Sequence, residues 1–223
     1  MTTDKKSLLL LLGVSLVTQA TTSLAGGLIG LGPFTDTENL SATMNGIAGQ
    51  PGPIFIGVFL QVVTAVVIVA LAAAFYQATK AIGKTAALVA FGLYLLEAVV
   101  HFLGQTVSVA IAEVSKQFAV TGDAALLVTG KLLFEIRDFV GAVTMMPFGV
   151  GALLFYFLIT KAEIIPRWLG IWGMVTVAIV LVGWSLEAFT VVAVPFAVYI
   201  PYVPWEWVAG VYIVIKGLRM NDR

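Results

Sequence analysis

The stretch Pro53–Ala78, PIFIGVFLQVVTAVVIVALAAAFYQA, is a run of 26 residues without a charged side chain. At a rise of about 1.5 Å per residue, a helix of this length crosses the roughly 30 Å hydrocarbon core of a bilayer. Backbone polar groups need internal partners in lipid, so a long unbroken apolar run favours a membrane-spanning helix.

Composition extends this prediction to the whole chain, which has 223 residues, 60% hydrophobic and 11% charged. A typical soluble domain is about 25% charged. The sequence therefore predicts an all-α, polytopic transmembrane bundle of six helices in a single domain, 1–223. The predicted spans are Ser7–Leu31, Pro53–Ala78, Ala86–Ala112, Phe134–Thr160, Trp168–Phe189 and Val191–Leu218.

Basic residues give the predicted orientation. Six crossings place nine of them on one side and only Lys116 in the opposite loops, and positive loops are typically cytoplasmic. We therefore expect a multi-pass protein of the plasma membrane with both termini in the cytoplasm. Lys131 and Arg137 fall near the outer end of the fourth span. The nine residues are Lys5, Lys6, Lys80, Lys84, Lys161, Arg167, Lys216, Arg219 and Arg223.

The first span has a rival interpretation as a cleaved signal peptide, because two lysines, a leucine run and the small residues Ser23–Gly27 follow one another. The charge alternation requires this crossing, and apolar residues continue past Ala25, so we expect a retained helix. Between the spans, we expect a long outer loop over Pro33–Pro53 and an interfacial segment over Thr121–Leu133, with Asp123 as its N-cap.

Several kinds of chemistry are disfavoured by composition. The chain has no cysteine and one histidine, too few ligands for a usual zinc site, and haem held by two histidines would need a dimer. Lysine and arginine equal aspartate and glutamate in number, so no basic surface indicates a nucleic acid partner. We expect no metal and no cofactor.

Polar side chains within the spans form the candidate site. Glu97, His101 and Gln105 are four residues apart and share one helix face, while Glu206 lies in the last span behind Pro195, Pro201 and Pro204. Both carboxylates fall near the predicted midplane, and the prolines predict a broken last helix. An ionisable group inside a membrane indicates a ligand or proton site, although such residues also simply join helices by hydrogen bonds.

A second charged group is predicted at the outer mouth of the bundle. It contains Arg137, Asp138 and Glu187. Pairing of Arg137 with Glu187, or of Asp138 with Lys131, would neutralise the charges. In the functional alternative, Arg137 contacts an anion or a lipid headgroup at the mouth of a cavity.

Four sequence stretches resemble a known family. They are YLLEAVV at 94–100, LFEIRDFVGAV at 133–143, IIPRWLGIWG at 164–173 and WEWVAGVYIVIKGLR at 205–219. They are similar to signature stretches of the domain of unknown function 4386 (DUF4386), a group of prokaryotic polytopic membrane proteins. The resemblance covers nearly the whole chain and implies an integral membrane protein without an established activity.

The sequence as a whole favours a noncatalytic membrane protein with an intramembrane polar site for a small molecule, a lipid or a proton. Two alternatives stay open: a structural or regulatory protein whose polar residues only hold helices together, and an intramembrane enzyme that uses Glu97 and Glu206. The expected partners are the lipid bilayer and a small-molecule or lipid ligand, and a homo-oligomer is left open.

Overall fold

The computed structural model describes residues 2–190 and 194–221, and in these ranges the regular structure is entirely helical. Single 3-10 turns lie at Phe196–Val198 and Arg219–Asn221. The α-helices are α1 (Thr2–Ile29), α2 (Leu40–Gly49), α3 (Pro51–Thr79), α4 (Lys84–Thr121), α5 (Ala124–Lys161), α6 (Arg167–Phe189) and α7 (Val203–Leu218).

Five of these helices, α1, α3, α4, α5 and α6, are long and apolar enough to cross a membrane. The chain is thus a multi-pass membrane protein. Large apolar side chains such as Phe59 and Val66 are more than half exposed, which suits a surface that faces lipid rather than water.

The predicted sixth span is not confirmed as a helix of full length. Its α-helical part, α7, has 16 residues, or about 24 Å, which is shorter than a hydrocarbon core. The chain from Val194 to Tyr202 has no α-helix, and 191–193 lie outside the described residues. The three prolines account for this, since each removes a backbone donor and disfavours helix in the residue before it.

Three further predictions concern the segments between the spans. Asp123 is confirmed as an N-cap and accepts a hydrogen bond from the Ala125 amide at 2.9 Å. The predicted interfacial segment Thr121–Leu133 is not a separate element, because α5 runs without interruption from Ala124 to Lys161. The outer loop between the first two spans is also not irregular throughout, since it contains α2, whose N-cap is Asn39.

The helices pack in the order α7, α1, α3, α4, α5, α6, and Trp205 of α7 then reaches α6. Helix α7 lies antiparallel to α1: Gly210 is next to Gly13, and Gly217 is next to Leu9. The start of α1 and the end of α7 consequently lie at the same end of the bundle, which we call the inner end.

Aromatic side chains fill the centre of the bundle. Phe75 of α3 stacks on Phe155 of α5 at 4.5 Å between ring centroids, and Tyr94 of α4 meets Phe155 edge-on at 5.2 Å. Tyr156 lies against Trp205 at 3.9 Å. All five rings are almost completely buried, so α3, α4, α5 and α7 are joined by one aromatic core.

Candidate functional site

The irregular segment before α7 is held against α6 by two tryptophans. The indole of Trp172 donates to the carbonyl of Pro201 at 3.1 Å, and the indole of Trp205 donates to the carbonyl of Leu169 at 2.7 Å. Gly173 makes room for Trp205, because a Cβ there would lie 2.4 Å from the indole ring. The start of α7 is thereby fixed inside the bundle.

Glu206 lies in the first turn of α7 and is 6% exposed. Its Oε1 accepts a hydrogen bond of 2.6 Å from the hydroxyl of Tyr202, whose oxygen lies 3.2 Å from the hydroxyl of Tyr156. The positive end of the helix dipole also favours an acidic side chain at this position. The break in the helix therefore places a carboxyl group deep in the protein with donors around it.

Glu97 projects from α4 into the same region and is 4% exposed. Its Oε2 is buried without a hydrogen-bond partner among the described residues. The Glu97 and Glu206 carboxyls are close enough to interact electrostatically although their helices are not neighbours in the packing order. The two buried carboxyls thus lie in one region of the bundle.

Two more polar side chains complete this group. The amide of Gln19 lies beside the Glu206 carboxyl, and its Oε1 has no hydrogen-bond partner among the described residues. The hydroxyl of Tyr94 lies near that of Tyr156 but without hydrogen-bond geometry. We call this group the buried acid cluster; its members are Gln19, Tyr94, Glu97, Tyr156, Tyr202 and Glu206.

The buried acid cluster contains two acidic residues and no basic one. Among the residues that the structure describes, the one ion pair joins Arg137 to Asp138 and involves neither Glu97 nor Glu206. No group of three histidine or acidic side chains suited to a metal ion occurs in the described ranges. Hydroxyls and an amide are therefore what the protein places around these carboxyls.

His101 and Gln105 lie one and two turns further along α4 and belong to a different site. The His101 ring bonds to Oε1 of Gln61 at 2.9 Å, and Gln61 donates through Nε2 to the carbonyl of Ser23. Because Gln61 Oε1 can only accept, the His101 Nε2 carries the proton. Gln105 donates to the backbone carbonyl of His101 at 3.1 Å.

These side chains line a cavity of about 310 Å³, which we call the outer cavity, near the end of the bundle opposite the inner end. Helices α1, α3, α4, α5 and α6 all contribute to its wall. The residues used in the argument below are Gly27, Gln61, His101, Gln105, Arg137 and Gly141. The four residues predicted to form one ligand or proton site are thus divided, with Glu97 and Glu206 in the buried acid cluster and His101 and Gln105 in the outer cavity.

The predicted partners of the outer-mouth charges are wrong. Arg137 donates through Nε and Nη2 to Oδ1 of the adjacent Asp138, at 3.0 and 2.8 Å, and stacks over the Phe134 ring. Glu187 instead accepts from the Val194 amide and the Tyr199 hydroxyl, each at 3.1 Å. Adjacent residues of a helix point about 100° apart, but the long arginine side chain bends back to its neighbour.

Sequence reasoning missed the tyrosines and Gln19. Tyr202 precedes Glu206 by four residues and Tyr94 precedes Glu97 by three, spacings that bring side chains together on a helix surface and could have indicated both. Tyr156 and Gln19 carry no such local signal, because they meet the carboxyls only through the packing of α5 and α1.

The comparisons with known proteins return one result. A family model described as Domain of unknown function (DUF4386) matches residues 11–217. No curated protein and no solved structure matches the chain. The geometry of the two sites is therefore the basis on which a function is assigned.

Proposed function

The chain belongs to the DUF4386 family, whose function is unknown, and we propose that it is a membrane protein in which Glu97 and Glu206 bind an exchangeable proton between them. The observation that carries the proposal is a pair of carboxyls within electrostatic range of each other, each less than a tenth exposed, of which Glu206 lies at the break before α7. The proposed function is binding and exchange of a proton rather than catalysis.

The physical argument starts from the cost of burying charge. Moving an isolated carboxylate from water into a low-dielectric interior costs several kcal/mol or more, and the group holds a proton instead. Two carboxylates that face each other without a cation add mutual repulsion. One proton held by the pair Glu97 and Glu206 removes the repulsion and leaves one buried negative charge, which is stabilised by Tyr202 and by the first turn of α7.

The groups that face this pair support the same state. Helix α1 contributes Gln19, α4 contributes Tyr94 and α5 contributes Tyr156. The segment before α7 contributes Tyr202. Helix α3 contributes the apolar ring of Phe75, which packs on Tyr94 and Tyr156. Tyrosine hydroxyls can both donate and accept, so they tolerate either protonation state of a neighbouring carboxyl.

The same proposal includes a sixth crossing. Helix α7 runs antiparallel to α1 along their shared glycine face, and its last residues reach the inner end. The irregular, 3-10 and turn residues from Val194 to Tyr202 would cover the other half of the membrane, as non-helical backbone does where it is buried in protein. With six crossings, both termini lie in the cytoplasm by the distribution of basic residues.

Tryptophan fluorescence during a pH titration tests the proton site. Trp205 adjoins Glu206 in the chain and packs on Tyr156, so its emission should change when the pair gains or loses its proton. We expect a transition in the wild type that disappears in Glu206→Gln and persists in Glu113→Gln, whose side chain is exposed. An identical transition in all three proteins would contradict the proposal.

The two alternatives give different results in the same variants. If the polar residues only hold helices together, Glu206→Gln should lose folded protein from the membrane rather than lose the transition. An intramembrane enzyme should keep ligand binding in Glu206→Gln while it loses turnover. The proton proposal requires a folded Glu206→Gln protein without the transition.

A further inference from the structure

The outer cavity is separate from the buried acid cluster, and its wall contains glycines that packing does not require. A Cβ at Gly141 would meet nothing within 4 Å, and one at Gly27 would meet only Gln61 Nε2 at 3.8 Å. Glycine inside a helix is less favourable than alanine. Since neither position needs glycine for close packing and both line the outer cavity, the space in front of them belongs to that cavity.

Other glycines of the same wall have an ordinary structural explanation. A Cβ at Gly57 would lie 2.4 Å from the Cα of Gly30, so Gly30 and Gly57 let α1 and α3 approach closely. The glycines of this wall therefore have two different roles. Close contact fixes the helices, whereas Gly27 and Gly141 keep the volume of about 310 Å³ open.

The charge of the wall indicates the kind of molecule that fits. Arg137 is the lining residue with a fixed charge among those that the structure describes, and its partner Asp138 does not line the cavity. Nε and Nη2 bond to Asp138, which leaves Nη1 for another acceptor. The cavity therefore presents a positive charge above walls that are otherwise apolar or uncharged.

The other polar side chains of the wall carry no fixed charge. They are Thr35, Gln61, His101, Gln105, Ser108 and Thr144, while valines, glycines and Trp184 supply apolar surface. Small-molecule sites characteristically combine apolar walls with a few converging polar groups in a cavity of roughly 300 to 1,000 Å³. This cavity has the size for a small ligand at the lower end of that range.

We propose that the outer cavity binds a small organic anion, with a carboxylate at Arg137 and an apolar body between Gly27 and Gly141. This site does not depend on the proton-binding pair, because none of its lining residues belongs to the buried acid cluster. Nη1 of Arg137 donates to the carboxylate, and the open glycines accept the body of the molecule.

Isothermal titration of the full chain in lipid nanodiscs tests this site with 3-phenylpropanoate and, as the uncharged match, 3-phenylpropan-1-ol. We expect saturable binding of the carboxylate. Gly141→Leu should remove it by filling the cavity, and Gly92→Leu should retain it. Gly92 is the matched control because it also lies in a long helix with nothing near its Cβ position, but outside the cavity.

Two further variants complete the test: a second substitution that fills the cavity, and one that removes the charge of Arg137. If Gly141→Leu does not fold, Gly27→Leu blocks the same space from α1. Arg137→Gln should weaken carboxylate binding about tenfold or more and leave the alcohol unchanged, as expected for a lost bond to a charged donor. The proposed site would be contradicted if 3-phenylpropanoate did not bind saturably, or if it still bound to a folded Gly141→Leu or Gly27→Leu protein. Equal binding of 3-phenylpropan-1-ol would contradict the proposed preference for an anion.

Discussion

At the residue scale, the contact between Tyr202 and Glu206 links the break in the chain to the proposed chemistry. The hydroxyl donates to the carboxyl at 2.6 Å from a position just before α7 begins. The ring of Tyr202 also makes an edge-to-face contact with Phe148 of α5, with 5.6 Å between the ring centroids. One side chain thus orients the carboxyl and anchors the irregular segment.

Tyr202→Phe tests the hydrogen bond while it preserves the ring. The variant leaves Glu206 without this donor, and a lost bond to a charged group costs about 1–3 kcal/mol. We expect the free energy of unfolding, measured in mixed micelles, to fall by that amount. Tyr212→Phe is the control, since Tyr212 is exposed on α7 and should change stability by less than about 0.5 kcal/mol.

Much of the site at this scale could be predicted from the sequence, and part of it could not. Glu97 and Glu206 are indicated by their charge within apolar runs, and their burial follows. His101 lies only one turn from Glu97, yet it faces Gln61 and the outer cavity. Helix spacing gives a shared face but not the neighbours across it, which depend on how α3 and α5 pack.

At the element scale, α1 and α7 approach each other closely around Gly13 and Gly210. A Cβ at Gly13 would lie 2.6 Å from the carbonyl oxygen of Gly210, and a Cβ at Gly210 would lie 2.6 Å from Val17. Because the obstacles include backbone, neither helix can accommodate a larger residue without moving. The position of Glu206 therefore depends on these two glycines.

Alanine substitutions at two glycines should have opposite effects on stability. Gly13→Ala should destabilise the protein by about 1–3 kcal/mol because it overfills the α1 and α7 contact. Gly92→Ala should stabilise it by about 0.5–1 kcal/mol, since an exposed helical glycine only loses backbone entropy. Equal effects in a chemical unfolding experiment would show that α7 does not pack on α1 as described.

The existence of the helices was largely predictable, whereas several of their ends were not: α4 continues past the predicted Ala112 to Thr121, α5 begins at Ala124 rather than Phe134, and the last helix is shorter than predicted. Long uncharged runs indicate α3 and α6, and Asp123 is an N-cap as predicted, although it caps α5 itself rather than a separate interfacial segment. The prolines of the last run predict a break, but its extent depends on bonds from Trp172 and Trp205 to distant carbonyls. Composition alone does not show such bonds.

At the scale of the whole molecule, both ends of the described chain lie at the inner end of one bundle. Basic residues gather there: Lys216 bonds to the carbonyls of Glu163 and Ile164, and Lys161 lies over the Phe157 ring. The opposite end contains α2 and the opening of the outer cavity. This polarity follows from the alternation of charge along the sequence.

Because the chain contains no cysteine, single cysteines labelled in intact cells test the orientation. A membrane-impermeant maleimide should label Glu38→Cys, at the outer end, and should not label Lys80→Cys until the cells are opened. Arg219→Cys should behave like Lys80→Cys if α7 and the segment before it complete a sixth crossing. Labelling of Arg219→Cys in intact cells would instead show that the chain crosses the membrane five times and that α7 ends outside the cytoplasm.

The proton shared by Glu97 and Glu206 is tested most directly by infrared spectroscopy of the carboxylic acid C=O stretch. The wild type and Glu113→Gln should show, near neutral pH, a buried protonated acid whose band shifts in D₂O, and this band should be lost or altered in Glu97→Gln and in Glu206→Gln. A wild-type spectrum with only ionised carboxylates, or a band unchanged in both buried variants, would contradict the account.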